Sequence, residues 1–83
     1  MAQIARSPIQ LGDALRRCRT LAGMSQSDVA ALAGLRQATI SKVEGGYAAV
    51  RVETIFAILV ALNLELSVAP RSKSSAQEIE DIF

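Results

Sequence analysis

Apolar residues recur at helical spacing along most of the chain. Leu11, Ala14, Leu15, Cys18, Leu21 and Ala22 share one helical face, with Asp13, Arg16, Arg17 and Arg19 mostly opposite. Ser7 offers a capping hydroxyl, Pro8 suits the first helical position, and Gly23 suits a left-handed C-cap, so a first helix is predicted between them. Ser25 and Asp28 stand at capping-box spacing, with Asp in place of the usual Glu. Val29, Ala30 and Leu32 continue into a second helix of about two turns, ended by Gly34.

The helical pattern resumes over residues 37–44, where Ile40 and Val43 are the apolar positions and Gly45-Gly46 is the stop. This third helix is short and mostly solvated. Residues 51–62 predict a fourth helix, apolar all round from residue 55 to 62, which requires burial on more than one side. Past Asn63 the period changes to two: Leu64, Leu66 and Val68 alternate with Glu65, Ser67 and Ala69 until Pro70 blocks further pairing. A lone strand is expected there. Residues 71–83 are polar and acidic and read as a flexible tail, leaving residues 1–70 as the folded domain.

Composition narrows the function more than the fold. The 83 residues are 51% hydrophobic but only 4% aromatic, with mean hydropathy +0.30, so the core is built from Ala, Leu, Ile and Val. The chain has no His and a single Cys, Cys18, which removes the usual zinc sites, an intrachain disulfide and the histidine of most catalytic triads. An enzyme is not expected, nor any metal or cofactor. The apolar run at residues 55–62 is far shorter than the ~20 residues that span a bilayer. With no apolar signal segment at the N-terminus, a soluble cytoplasmic protein is the expectation. The net charge is only +1, but it is unevenly distributed. Residues 1–73 carry nine basic groups against five acids, a net +4, and the last ten residues carry −3 from Glu78, Glu80 and Asp81. A basic body with an acidic tail is one pattern of nucleic-acid-binding proteins.

Two short helices joined at Gly34-Leu35, the second polar on its outer face, form a helix-turn-helix candidate. Ala30 would sit where the helices cross, and Gly34 permits the positive φ that redirects the chain. Leu35, Ile40 and Val43 would pin the third helix to the core, so that Arg36, Gln37, Ala38, Ser41 and Lys42 face outward, free to meet a major groove. From Ser25 to Gly46 the run Ser-Gln-Ser-Asp-Val-Ala-Ala-Leu-Ala-Gly-Leu-Arg-Gln-Ala-Thr-Ile-Ser-Lys-Val-Glu-Gly-Gly resembles the phage-repressor (Xre, or Cro/cI) type of helix-turn-helix protein, a likeness that extends over about residues 9–62.

The resemblance implies an all-α, lambda-repressor-like domain of four to five helices that binds double-stranded operator DNA as a homodimer. It implies that Gln37, Ala38, Ser41 and Lys42 read bases. Ser25, Gln26, Arg36 and Thr39 are then similar to phosphate-contacting positions, their donors gathered at helix N-termini. Arg19 and Glu44 are similar to a pair that bridges the first helix and the end of the third, a scaffold role. The family usually caps the fourth helix with Ser or Thr, where this chain has Arg51.

The strand calls for a partner. Pairing across a two-fold dimer would place Leu64, Leu66 and Val68 over the uncovered side of the fourth helix. The alternative is pairing within the chain with residues 3–6. Ser7-Pro8, residues 37–41 and residues 62–67 together resemble antitoxins of the HipB type. That resemblance implies a further partner, a HipA-like serine/threonine kinase toxin that the protein would neutralise. A stand-alone repressor, and an interaction module that no longer reads DNA, are the other readings. For the tail, a solvated acidic segment stands beside one that orders on a basic partner surface through Ile79, Ile82 and Phe83.

Overall fold

The computed structural model describes residues 3–71. Over this span the chain forms four helices: α1 (Pro8–Leu21), α2 (Gln26–Ala33), α3 (Gln37–Glu44) and α4 (Val52–Ala61). The predicted tail, apart from Arg71, lies outside the described residues.

Helix starts follow local chemistry. The Ser7 hydroxyl accepts from the Gln10 amide at 3.1 Å, with Pro8 opening α1. At α2 the capping box closes in both directions: Ser25 Oγ accepts from the Asp28 amide at 3.0 Å, and Asp28 Oδ2 accepts from the Ser25 amide at 2.8 Å. Helices α3 and α4 begin at Arg36 and Arg51 with no side-chain cap bond. Helix ends are equally regular. After α1, α3 and α4 the chain closes with paired bonds of the Schellman kind, as in Asn63 N to Val60 O at 3.0 Å and Leu64 N to Leu59 O at 2.7 Å. Gly23, Gly46 and Asn63 take the left-handed position in these three closures, with Asn63 at φ 57°.

Each helix gives residues to one small core: Leu15 from α1, Val29 and Ala30 from α2, Ile40 and Val43 from α3, Ile58 and Leu59 from α4. Leu35 and Leu64 pack against it. Buried Ala30 and left-handed Gly34, at φ 70°, take the positions expected of them in the turn between α2 and α3. The approach of α1 to α3 depends on Gly12, whose missing side chain leaves room for the carbonyl oxygens of Val43 and Glu44.

Three sequence expectations need correction or restriction. Leu21 and Ala22 were placed on the core face of α1 but are exposed, because the last turn of the helix runs past the core. Cys18 is only half-buried, with Gln3 Nε2 3.4 Å from its sulfur. Neither residues 3–5 nor residues 64–70 form a strand within this chain. Both segments instead line a groove of ≈ 590 Å³ floored by Leu11, Ala14 and Cys18 of α1. Leu64 returns to the core, whereas Leu66 and Val68 are exposed. The expectation that one core could not cover α4 has a direct counterpart: Val52, Phe56 and Val60, spaced one turn apart, form an exposed apolar stripe.

Among the described residues no helix is long and apolar enough to cross a membrane, and no cluster of His, Cys, Asp and Glu could hold a metal ion.

Candidate nucleic-acid interface

Ile40 and Val43 face inward from α3 and are almost fully buried, which decides what the rest of the helix presents. Arg36, Gln37, Ala38, Ser41 and Lys42 are exposed, and Thr39 is half-buried. The four positions expected to read bases therefore share one accessible face.

The N-terminus of α2 lies beside that of α3, and side chains join them. Ser27 Oγ donates to Gln37 Oε1 at 3.1 Å, and Gln37 Nε2 donates to Gln26 Oε1 at a long 3.5 Å. Gln26 Nε2 in turn donates to Glu44 Oε1 at 3.1 Å. Glu44 is gripped by Arg19 through two bonds, Nε to Oε2 at 2.6 Å and Nη2 to Oε1 at 3.1 Å. A third guanidinium bond, Nη1 to the Met24 carbonyl at 2.8 Å, fixes Arg19 to the chain between α1 and α2. The two side chains are only 16% and 7% exposed, so the pair is screened from water, as a scaffold requires.

Charge states follow from these contacts. Burial acts to raise the Glu44 carboxyl, and the hydrogen bonds from Arg19 and Gln26, with the charges of Arg19 and Arg16, outweigh it and hold the group below its ordinary value. The hydrogen bond to Glu44 raises Arg19 against the opposing effect of burial. The Ser25 amide and hydroxyl lower Asp28. Glu44 is therefore a carboxylate at neutral pH, and it offers acceptors only.

Of the positions expected to touch phosphate, Arg36 is exposed at the N-cap of α3. Ser25 is committed to the capping box, its hydroxyl engaged with Asp28. Gln26 is half-buried between Glu44 and Gln37 and keeps one amide N–H.

Two side chains at this face were not anticipated. Ser27 follows Gln26 in the first turn of α2, so the argument that selected Ser25 and Gln26, donors at a helix N-terminus, covers it equally. Tyr47 lies beyond α3, outside any periodic pattern, and had no sequence signal. Its ring lies under Lys42, with Nζ 5.6 Å from the centroid, and the closure of α3 by Tyr47 N on Lys42 O at 3.0 Å brings it there.

Residues 15–68 match the helix-turn-helix family. The chain is 34% identical over 74 residues to the antitoxin HipB of Escherichia coli (strain K12), an overlap of 89% of this chain and 84% of that protein. The solved structure of a HipB-O4 20mer complex superposes with TM-score 0.80 at 34% identity, covering 86% of this chain and 100% of that one. A HipA-HipB-O2-O3 complex contains a chain matched at TM-score 0.79 and 34% identity, with the same coverage of 86% and 100%.

Proposed function

This chain belongs to the helix-turn-helix family, with the antitoxin HipB among its relatives, and we propose that it is a sequence-specific DNA-binding repressor acting as the antitoxin of a HipBA-type pair. It represses its own operator and neutralises a HipA-like serine/threonine kinase, a binding protein of the cytoplasm and not a catalyst. The observation that carries DNA reading is the outward face of α3, presented by buried Ile40 and Val43 and braced by the Arg19–Glu44 pair. The HipB-O4 20mer and HipA-HipB-O2-O3 complexes formed by relatives support both partners.

On this reading Gln37, Ala38, Ser41 and Lys42 meet base edges. Gln pairs bidentately with adenine, Ala touches a thymine methyl, and Lys donates to guanine. Ser25, Gln26, Arg36 and Thr39 hold phosphates, Gln26 with the amide proton its internal bonds leave over. The protein works as a homodimer, for which the stripe of Val52, Phe56 and Val60 is the supporting feature. Residues 64–69 pair antiparallel with their copy, bringing the exposed Leu66 and Val68 under cover. Residues 1–70 hold the DNA-binding and dimerising parts, and residues 71–83 are an acidic tail that neither requires.

Footprinting on the upstream region of its own gene is the test. A protected palindrome with half-site centres ~34–36 Å apart is expected. No protected site even at low salt would remove the DNA reading. Full inhibition of a purified HipA-like kinase is the second expected result, and intact kinase activity would leave a stand-alone repressor.

A further inference from the structure

Two segments border the groove above α1, residues 3–5 and residues 64–67, and they do not pair with each other although both lie on it. Among the described residues no backbone hydrogen bond ties residues 3–5 or residues 65–70 to another segment. The groove is thus bordered by two lines of backbone donors and acceptors, of the kind that takes up an added strand. Its floor is apolar, made by Leu11, Ala14 and the half-buried Cys18. Its volume of ≈ 590 Å³ falls within the roughly 300–1,000 Å³ of pockets that enclose a drug-sized molecule, the bulk of a peptide of about four or five residues.

We propose that this groove receives residues 64–69 of a second copy of the chain, lying between the two segments, so that residues 3–5 become the outer strands of a four-stranded sheet shared by two protomers. The inference rests on the dimer reading above and adds a second contact to it. Two-fold symmetry makes the arrangement self-consistent. If the partner's strand lies in the groove of one protomer, that protomer's strand lies in the groove of its partner. The order is then residues 3–5 of one protomer, 64–69 of its partner, 64–69 of the first and 3–5 of the partner. Side chains agree with it. Leu64 packs against the core, and at a period of two the exposed Leu66 and Val68 share its face. A two-fold axis normal to an antiparallel pair keeps that face on one side for both copies, so both turn these residues toward the apolar floors. The ends fit as well. The Arg6 amide is spent on Gln10 Oε1 at 2.6 Å, and Pro70 closes the other segment, so each outer strand is only three residues long and resists further strand addition.

Isotope-filtered NMR on the full-length protein, mixed from labelled and unlabelled chains, reads contacts between protomers alone. Such contacts are expected from residues 3–5 of one protomer to residues 64–69 of the other, beside those between the two copies of 64–69. Proline substitution gives an independent measure. Successive amides of a strand point to opposite sides, so only one of Ile4→Pro and Ala5→Pro removes a bond to the partner. That variant should raise the dimer dissociation constant by roughly 5- to 150-fold, the worth of two net hydrogen bonds per dimer. The other should stay near wild type, with helix content unchanged in both. Contacts of residues 3–5 confined to their own protomer, contacts only between the two copies of 64–69, or an equal effect of the two prolines would overturn the proposal. A monomeric wild type would remove the dimer reading itself, and this inference with it.

Discussion

Gly12 lies against the carbonyl oxygen of Val43 so closely that a methyl group there would overlap it, and would come 2.7 Å from the Glu44 carbonyl as well. Both obstacles are backbone atoms of α3, which no rotamer change can move aside. Gly12→Ala should therefore push the reading helix off α1. The helix-propensity gain of ~0.5–1 kcal/mol will not offset an overpacking cost of about 1–3 kcal/mol. Thermal melts at fixed protein concentration should show a lower Tm, and a variant as stable as its parent would mean that α1 and α3 are not pressed together at this point.

Arg19 and Glu44 should behave as a coupled pair. Removing one partner strands the other with its charge largely screened from water, at a cost of about 3 kcal/mol, the low end of the range for buried pairs. In a double-mutant cycle with Arg19→Met and Glu44→Leu, followed by urea unfolding, the double variant should lose markedly less than the two single losses combined.

Acid should weaken the fold through the same carboxylate. Glu44 and Asp28 both titrate below their ordinary values in the folded chain. Groups with depressed pKa values contribute stability that is fully present above the unfolded pKa and is lost as pH falls through the folded one. Stability should thus be flat through neutral pH and decline below about 4, the ordinary carboxylate range. The raised Arg19 loses its contribution only at extreme alkaline pH. Glu44→Gln should flatten the acid limb, which circular dichroism against pH will register.

Phe56→Glu places a charge in the exposed stripe of α4, between Val52 and Val60. Since Phe56 is 45% exposed within one chain, helix content should barely change. Sedimentation should show a shift from dimer to monomer, and operator affinity should drop with α3 untouched. A variant as dimeric as wild type would place the dimer contact elsewhere.

Lys42 and Arg36 should separate reading from holding. Lys42→Ala is expected to cost ~1–3 kcal/mol on the cognate site and relax preference at one base pair, whereas Arg36→Ala should weaken all duplexes alike and reduce the salt slope by about 1. Tyr47→Ala should act in the direction of Lys42→Ala but more weakly, because an exposed cation–π contact is worth only ~0.5–1 kcal/mol.

Much of what neighbours within a few residues govern was legible in the sequence alone. The caps at Ser7 and Ser25, the left-handed glycine after α2, the limits of α3 and the division of its residues into inward Ile40 and Val43 and an outward polar face all follow from short-range sterics, hydrogen bonding and period. The excess apolar surface of α4 was legible too, as a quantity without a direction. Tertiary structure decided the direction, leaving Val52, Phe56 and Val60 outside because α2 covers a different side of the helix. It also decided that Gln26 serves Glu44 and Gln37 at once, that Ser27 bonds Gln37, that Gly12 is a contact and that Leu21 overshoots the core. Those outcomes depend on where a second helix comes to rest, which for pairs as distant in sequence as Arg19 and Glu44 is settled only when the common core closes.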